Sequence, residues 1–97
     1  MRILLVGAGG VGGAAALIAA RRDFFERMVV ADYDPRRAEL VVVGTDDRRF
    51  SAARLDASDV NQIAALIESE RVTHVLNAVD PRFVIPIFTA AQRAGVD

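Results

Sequence analysis

Residues 6–14 read VGAGGVGGA, and the five glycines among them admit two spacings. Gly7, Gly9 and Gly12 form G-x-G-x-x-G, while Gly7, Gly10 and Gly13 form G-x-x-G-x-x-G. Either spacing removes side chains from a turn and lets backbone N–H groups face an anion, which is the chemistry of a pyrophosphate cradle. An acidic residue, Asp32, follows Gly12 by twenty positions and closes a short apolar run. A carboxylate placed there can accept hydrogen bonds from ribose hydroxyls.

In the first spacing Gly7 makes the tight turn, Gly9 lets the backbone approach the pyrophosphate, and Gly12 lets the next helix pack closely on the sheet. Amides near Gly10 and Val11 then face the phosphates at the helix's positive end. The charge on Asp32 predicts NAD as cofactor, because the 2′-phosphate of NADP would meet a like charge. Arg36 and Arg37 stand near the same ribose and keep NADP possible. Asp34 precedes Pro35 and reads as a helix cap. Asp56, with Ala57, is expected near the adenine edge, although the DASD cluster serves equally well as a cap. Residues 77–81, NAVDP, with Ala78 and Val79 at their centre, are expected to approach the nicotinamide ribose from the end of a strand.

Other chemistries are excluded by composition. All twelve basic residues are Arg, so no lysine is present to form a Schiff base or to lower a tyrosine pKa. With no Cys and one His, there is neither a thiol nucleophile nor a zinc ligand set, and no metal site is expected. His74 falls early in its strand and reads as a sheet-packing residue. No catalytic residue is assigned.

The elements that must position these groups alternate regularly. Ile3 to Val6 is a strand-length apolar run stopped by glycine, and Val11 to Arg22 is a helix with an alanine face. MVVAD, residues 28–32, is the second strand, and the helix after Asp34 and Pro35 fades near Gly44. FSAARLD, residues 50–56, is a more polar strand suited to a sheet edge. Ser58 or Asp59 caps a third helix with Val60, Ile63, Ala64 and Ile67 on one face. VTHVLNAV, residues 72–79, is the fourth strand. Val84, Ile87, Phe88 and Ala91 mark a fourth helix that Gly95 ends, with Pro86 either in its first turn or kinking it. The βαβαβαβα alternation predicts a three-layer, Rossmann-like, doubly wound parallel α/β sheet in the order 3-2-1-4. Residues 1–97 are expected to be one NAD(P)-binding domain, truncated before a fifth strand. An apolar fourth strand would then be an open edge, so a homo-oligomer is possible.

The net charge of -1 comes from thirteen acidic residues interspersed with the basic ones, which suggests neither nucleic acid nor a membrane surface as partner. The N-terminal apolar run is too short for a signal peptide or a span, and a cytoplasmic location is expected.

ILLVGAGGVG, VVADYDPRRAE, LDASD and HVLNAVDPRFVIPIFTAAQRAGVD resemble blocks of the saccharopine dehydrogenase and reductase family, in its N-terminal cofactor domain. The resemblance covers essentially the whole chain, and the last block is the most specific. It implies an oxidoreductase that transfers hydride between a nicotinamide dinucleotide and the C–N bond of a small amino-acid-like or polyamine-like substrate, with substrate groups mostly from a second domain. By position it implies a cofactor site at Gly7, Gly9, Gly10, Val11, Gly12, Asp32, Ala78 and Val79. Much of the family is described as NADP-binding, whereas Asp32 points here to NAD. Two other readings use the same motif: an NAD(H)-sensing regulatory domain without catalysis, and a short-chain-dehydrogenase-like protein prompted by Gly7, Gly10 and Gly13 and by LNA in the fourth strand.

Overall fold

A computed structural model of the protein describes residues 1–78 and 84–96. Its elements run β1 (Arg2–Val6), α1 (Gly10–Ala19), β2 (Arg27–Asp32), α2 (Pro35–Thr45), β3 (Phe50–Arg54), α3 (Val60–Ser69), β4 (His74–Asn77) and α4 (Val84–Ala94). The strands form one sheet in the order β3-β2-β1-β4, and each neighbouring pair is parallel. This is the doubly wound α/β order of a Rossmann-like fold.

Successive residues of a strand point to opposite faces, so a strand covered on both sides must be apolar throughout. β1 and β2 meet that condition. Ile3 and Leu5 join Met28, Val30 and the small residues Ala16, Ala19 and Ala38 in one core, between the sheet and α1 and α2. Leu4 and Val6 join Val29, Ala31, Ile63, Ile67, Ile87 and Ala90 in a second core, between the sheet and α3 and α4. Three layers follow directly from that alternation.

Capping fixes where the helices start. Asp34 is the N-cap of α2, accepting the Arg36 N–H at 3.0 Å, and Pro35 occupies the first helical position. Asp59 caps α3, accepting the N–H groups of Asn61 and Gln62 at 2.9 and 3.1 Å. Ser58, the alternative, is taken up by Asp56 instead. Pro86 is the third residue of α4 and sits in its first turn, where a missing N–H costs no hydrogen bond. Gly95 follows α4 with φ of 70° and ends it.

Several boundaries differ from expectation. Helix α1 stops at Ala19 rather than Arg22, because the chain must turn for Phe25 to enter the core, where it is buried against Phe50 with ring centroids 5.5 Å apart. In α4, Phe88 does not share the buried face with Ile87 and Ala91 but is 63% exposed. Fully buried Ala90 takes its place, and the small side chain lets the helix lie close to the sheet. β4 is shorter than the apolar run that contains it: Val72 is buried before the strand begins, its N–H donating to the Ile67 carbonyl at 2.9 Å. β3 and β4 are the outer strands, and Leu76 of β4 is 45% exposed. Among the described residues no helix is long and apolar enough to cross a membrane.

Candidate functional site

The four parallel strands end on a common rim. At the end of β1 the chain turns through Gly7, whose φ of 108° is a left-handed angle that only glycine takes without strain. The Gly7 N–H donates to the Ala31 carbonyl at 2.8 Å, which holds the turn against β2. Gly9 is the N-cap of α1 and has no side chain with which to satisfy the first N–H groups of the helix. The first helical amide bond formed is Gly13 N–H to the Gly9 carbonyl, at 2.7 Å. The positive end of α1 therefore opens onto the rim.

The glycines of this loop have different duties. A Cβ on Gly12 would overlap the Gly7 carbonyl oxygen, so the loop can fold back on α1 only if residue 12 has no side chain. A Cβ on Gly9 would instead lie 2.9 Å from Nη2 of Arg37, the far end of a flexible side chain. Gly10 begins α1 with open space around it, and Val11 beside it is exposed, so these two offer only their backbone N–H groups.

Asp32 closes β2 with both carboxylate oxygens engaged. Oδ2 accepts the Ala8 N–H at 2.8 Å, tying the glycine loop to β2, and Oδ1 accepts the Asp34 N–H at 2.9 Å. Each oxygen keeps a free lone pair for a further donor. The carboxylate is thus held in one orientation at the rim by two bonds that a side-chain rotation would break.

A cavity of about 290 Å³ opens here and brings together Gly7, Gly9, Asp32, Asp56, Ala57 and Ala78. Gly10, Val11 and Gly12 lie beside it in the first turn of α1, and Val79 falls outside the described residues. Ala78 donates its N–H to the Val6 carbonyl at 2.8 Å, and its Cβ lies 3.4 Å from the position a Cβ on Gly12 would take. Asp56 accepts both the backbone N–H and the hydroxyl of Ser58, at 3.0 and 2.6 Å. These bonds, the hydroxyl's first, hold its carboxyl below the ordinary aspartate range, with a smaller contribution from the charge of Arg54. Asp56 therefore lines the cavity and shapes the turn at once, and the cap of α3 belongs to Asp59.

Sequence reasoning did not find Tyr33 and Leu55, which line the same cavity. Tyr33 follows Asp32 directly, and Arg54, the cross-strand partner of Asp32, stacks its guanidinium 4.8 Å from the Tyr33 ring centroid. Nothing in the spacing of a single strand reveals that pairing. The structure also separates the two arginines that sequence left equivalent: Arg36 is paired with Asp34 at 3.6 Å, whereas Arg37 reaches into the cavity. His74 lies at the opposite end of β4, in register with Ile3, with Nδ1 2.9 Å from the Thr73 hydroxyl.

Backbone donors at a helix start, glycines that clear the approach and a fixed carboxylate across the cavity fit a dinucleotide. Comparison with known proteins agrees. The saccharopine dehydrogenase NADP-binding domain matches residues 3–97. Among solved structures, apo saccharopine dehydrogenase (L-Glu forming) from Saccharomyces cerevisiae superposes with a TM-score of 0.83 at 20% identity, over 99% of this chain and 20% of that one. UDP-glucose 4-epimerase from Stenotrophomonas maltophila, with bound NAD, gives 0.82 at 21% identity, over 100% of this chain and 35% of the other. A short-chain dehydrogenase/reductase from Brucella melitensis gives 0.76 at 16% identity, over 96% and 49%. The chain thus spans between a fifth and a half of the lengths of these structures. At such identities the superpositions establish the shared fold, while the family match covers nearly every residue. The chain belongs to the saccharopine dehydrogenase family, as its nicotinamide-dinucleotide-binding Rossmann domain.

Proposed function

We propose that the protein is the cofactor domain of an oxidoreductase that binds NAD in preference to NADP and acts at the C–N bond of an amino-acid-like or polyamine-like substrate. The observation that carries the cofactor choice is Asp32, whose carboxylate is held toward the cavity by the N–H groups of Ala8 and Asp34. Held this way, it accepts ribose hydroxyls readily and repels a 2′-phosphate. The S. maltophila epimerase that shares the fold carries NAD.

The bound nicotinamide supplies or takes the hydride. The chain's own part is to bind and orient: the open N-terminus of α1 and Gly9 receive the pyrophosphate, Asp32 the adenosine ribose, and Asp56 with Ala57 the adenine edge, while Ala78 approaches the nicotinamide ribose. Gly10, Val11 and Gly12 contribute backbone rather than side chains. Groups that recognise the substrate come from a second domain.

Titration of the protein with NADH and NADPH, by calorimetry or by quenching of cofactor fluorescence, tests the reading. Wild type is expected to bind NADH more tightly, and Asp32→Ala to weaken NADH about tenfold while sparing NADPH. Tighter binding of NADPH by the wild type would overturn the preference for NAD.

A further inference from the structure

Helix α2 carries more apolar surface than its own domain covers. Only Ala38 of its residues is buried, while Leu40 and Val43 are 72% and 76% exposed. Leu40 and the exposed Leu17 of α1 border one depression of about 310 Å³ between the two helices, which Gly13 and Gly44 also line. An apolar outer face of this kind is ordinarily covered.

Gly44 sharpens the point. A glycine inside a helix costs stability that an alanine would supply. Here a Cβ would meet nothing within 4 Å, and the left-handed position that ends the helix is held by Asp46, at φ of 50°. Nothing among the described residues therefore requires residue 44 to lack a side chain, whereas a body seated in the depression would.

The charges say which body. Arg36 is exposed at the N-terminal end of α2 and Asp46 at its C-terminal end, with Leu40 and Val43 between them. A helix that reads basic, apolar and acidic along its length is complementary to itself turned end for end. In an antiparallel pair about a two-fold axis near Val41, Arg36 approaches Asp46 of the second copy, Leu40 approaches Val43 of that copy, and the helix dipoles oppose each other favourably. We propose that this stripe is a homodimer interface, in which α2 packs antiparallel on α2 of a second copy and each Leu40 seats in the depression beside Gly44 of the other. The interface stands independently of the dinucleotide reading.

Sedimentation equilibrium over a range of concentrations tests it, with circular dichroism to show that each variant is folded. Wild type is expected to dimerise. Leu40→Glu and Gly44→Leu, both at exposed positions, are expected to raise the dimer dissociation constant about tenfold or more, and Leu76→Glu on the outer strand β4 to leave it unchanged. Arg36→Glu should weaken the dimer, and adding Asp46→Arg should restore it. The chain has no cysteine of its own, so chains carrying Leu40→Cys mixed with chains carrying Val43→Cys, under oxidised glutathione, should yield a disulfide-linked pair without any charge placed in the stripe. A dimer that Leu76→Glu abolishes and Leu40→Glu leaves intact overturns the proposal and assigns association to the sheet edge. A wild-type chain that stays monomeric at every concentration overturns it too, and gives the stripe to an occupant other than a second copy.

Discussion

Two glycines three residues apart illustrate how a fingerprint mixes duties. Gly12 is required by the fold, because the atom that would meet its Cβ is a backbone oxygen that cannot move without unmaking the Gly7 turn. Gly9 faces only the end of an arginine, so its small size serves whatever approaches the loop. Gly12→Ala is therefore expected to destabilise the protein by on the order of 3 kcal/mol, and Gly9→Ala to stay within about 1 kcal/mol of wild type. Gly9→Ala should still weaken NADH binding, through the lost approach of the backbone. Denaturant melts beside NADH titrations check this, and the division of duties fails if Gly9→Ala unfolds as readily as Gly12→Ala. Sequence spacing placed Asp32 at the end of its strand, but not the two N–H groups that orient it. Tyr33 and Leu55 escaped it for a related reason: their roles depend on what lies across the sheet or the loop.

At the level of elements, the end of the sheet away from the cavity is secured by Arg49, just before β3. Its guanidinium binds both oxygens of Asp47, Oδ2 at 2.7 Å from Nη2, donates to the Arg22 carbonyl at 2.7 Å and lies 4.1 Å from the Phe25 ring centroid. One side chain thus joins the turn before β3 to the connection after α1. The bonds from Arg49 hold the Asp47 carboxyl below the ordinary aspartate range. A depressed pKa in the folded state contributes stability that is present above the unfolded value and lost as pH falls through the folded one. Arg49→Ala is expected to lower the melting temperature by on the order of 5 °C at neutral pH. The gap between wild type and Asp47→Asn should narrow as the pH is lowered from neutral to about 3. Circular dichroism melts at both pH values measure it, and a gap that widens in acid contradicts the assignment. This brace explains why sequence periodicity misplaced the end of α1. The run of helix-compatible residues to Arg22 carries no sign that Phe25 must turn inward, whereas the cap at Asp34 is local chemistry and was legible, and the cap of α3 was narrowed to Ser58 or Asp59. Phe88 was misplaced for the converse reason, since apolar spacing alone does not say that a buried alanine lets the helix approach.

Across the whole molecule the apolar surface is unevenly distributed. Ile18, Phe24 and Leu76 are all more exposed than buried side chains of their kind, and they surround a depression of about 530 Å³ between α1 and the outer strand β4. Exposed apolar patches beside an open strand favour association. The isolated 97-residue chain is expected to self-associate as its concentration is raised, which light scattering reports directly, and a monodisperse monomer at high concentration would sink that expectation. The order of the strands and the layering were legible throughout, because they follow from alternation and connection alone. What joins them most tightly is β1, whose alternate residues serve two separate cores and whose last residue passes straight into Gly7. Substitutions of similar size there are tolerable, but a change of length is not. Removing or adding one residue between Arg2 and Val6 would exchange the faces of the strand and move the phosphate turn by one step. Any lineage carrying this domain can thus vary freely in the wording of its first strand, yet must keep its metre.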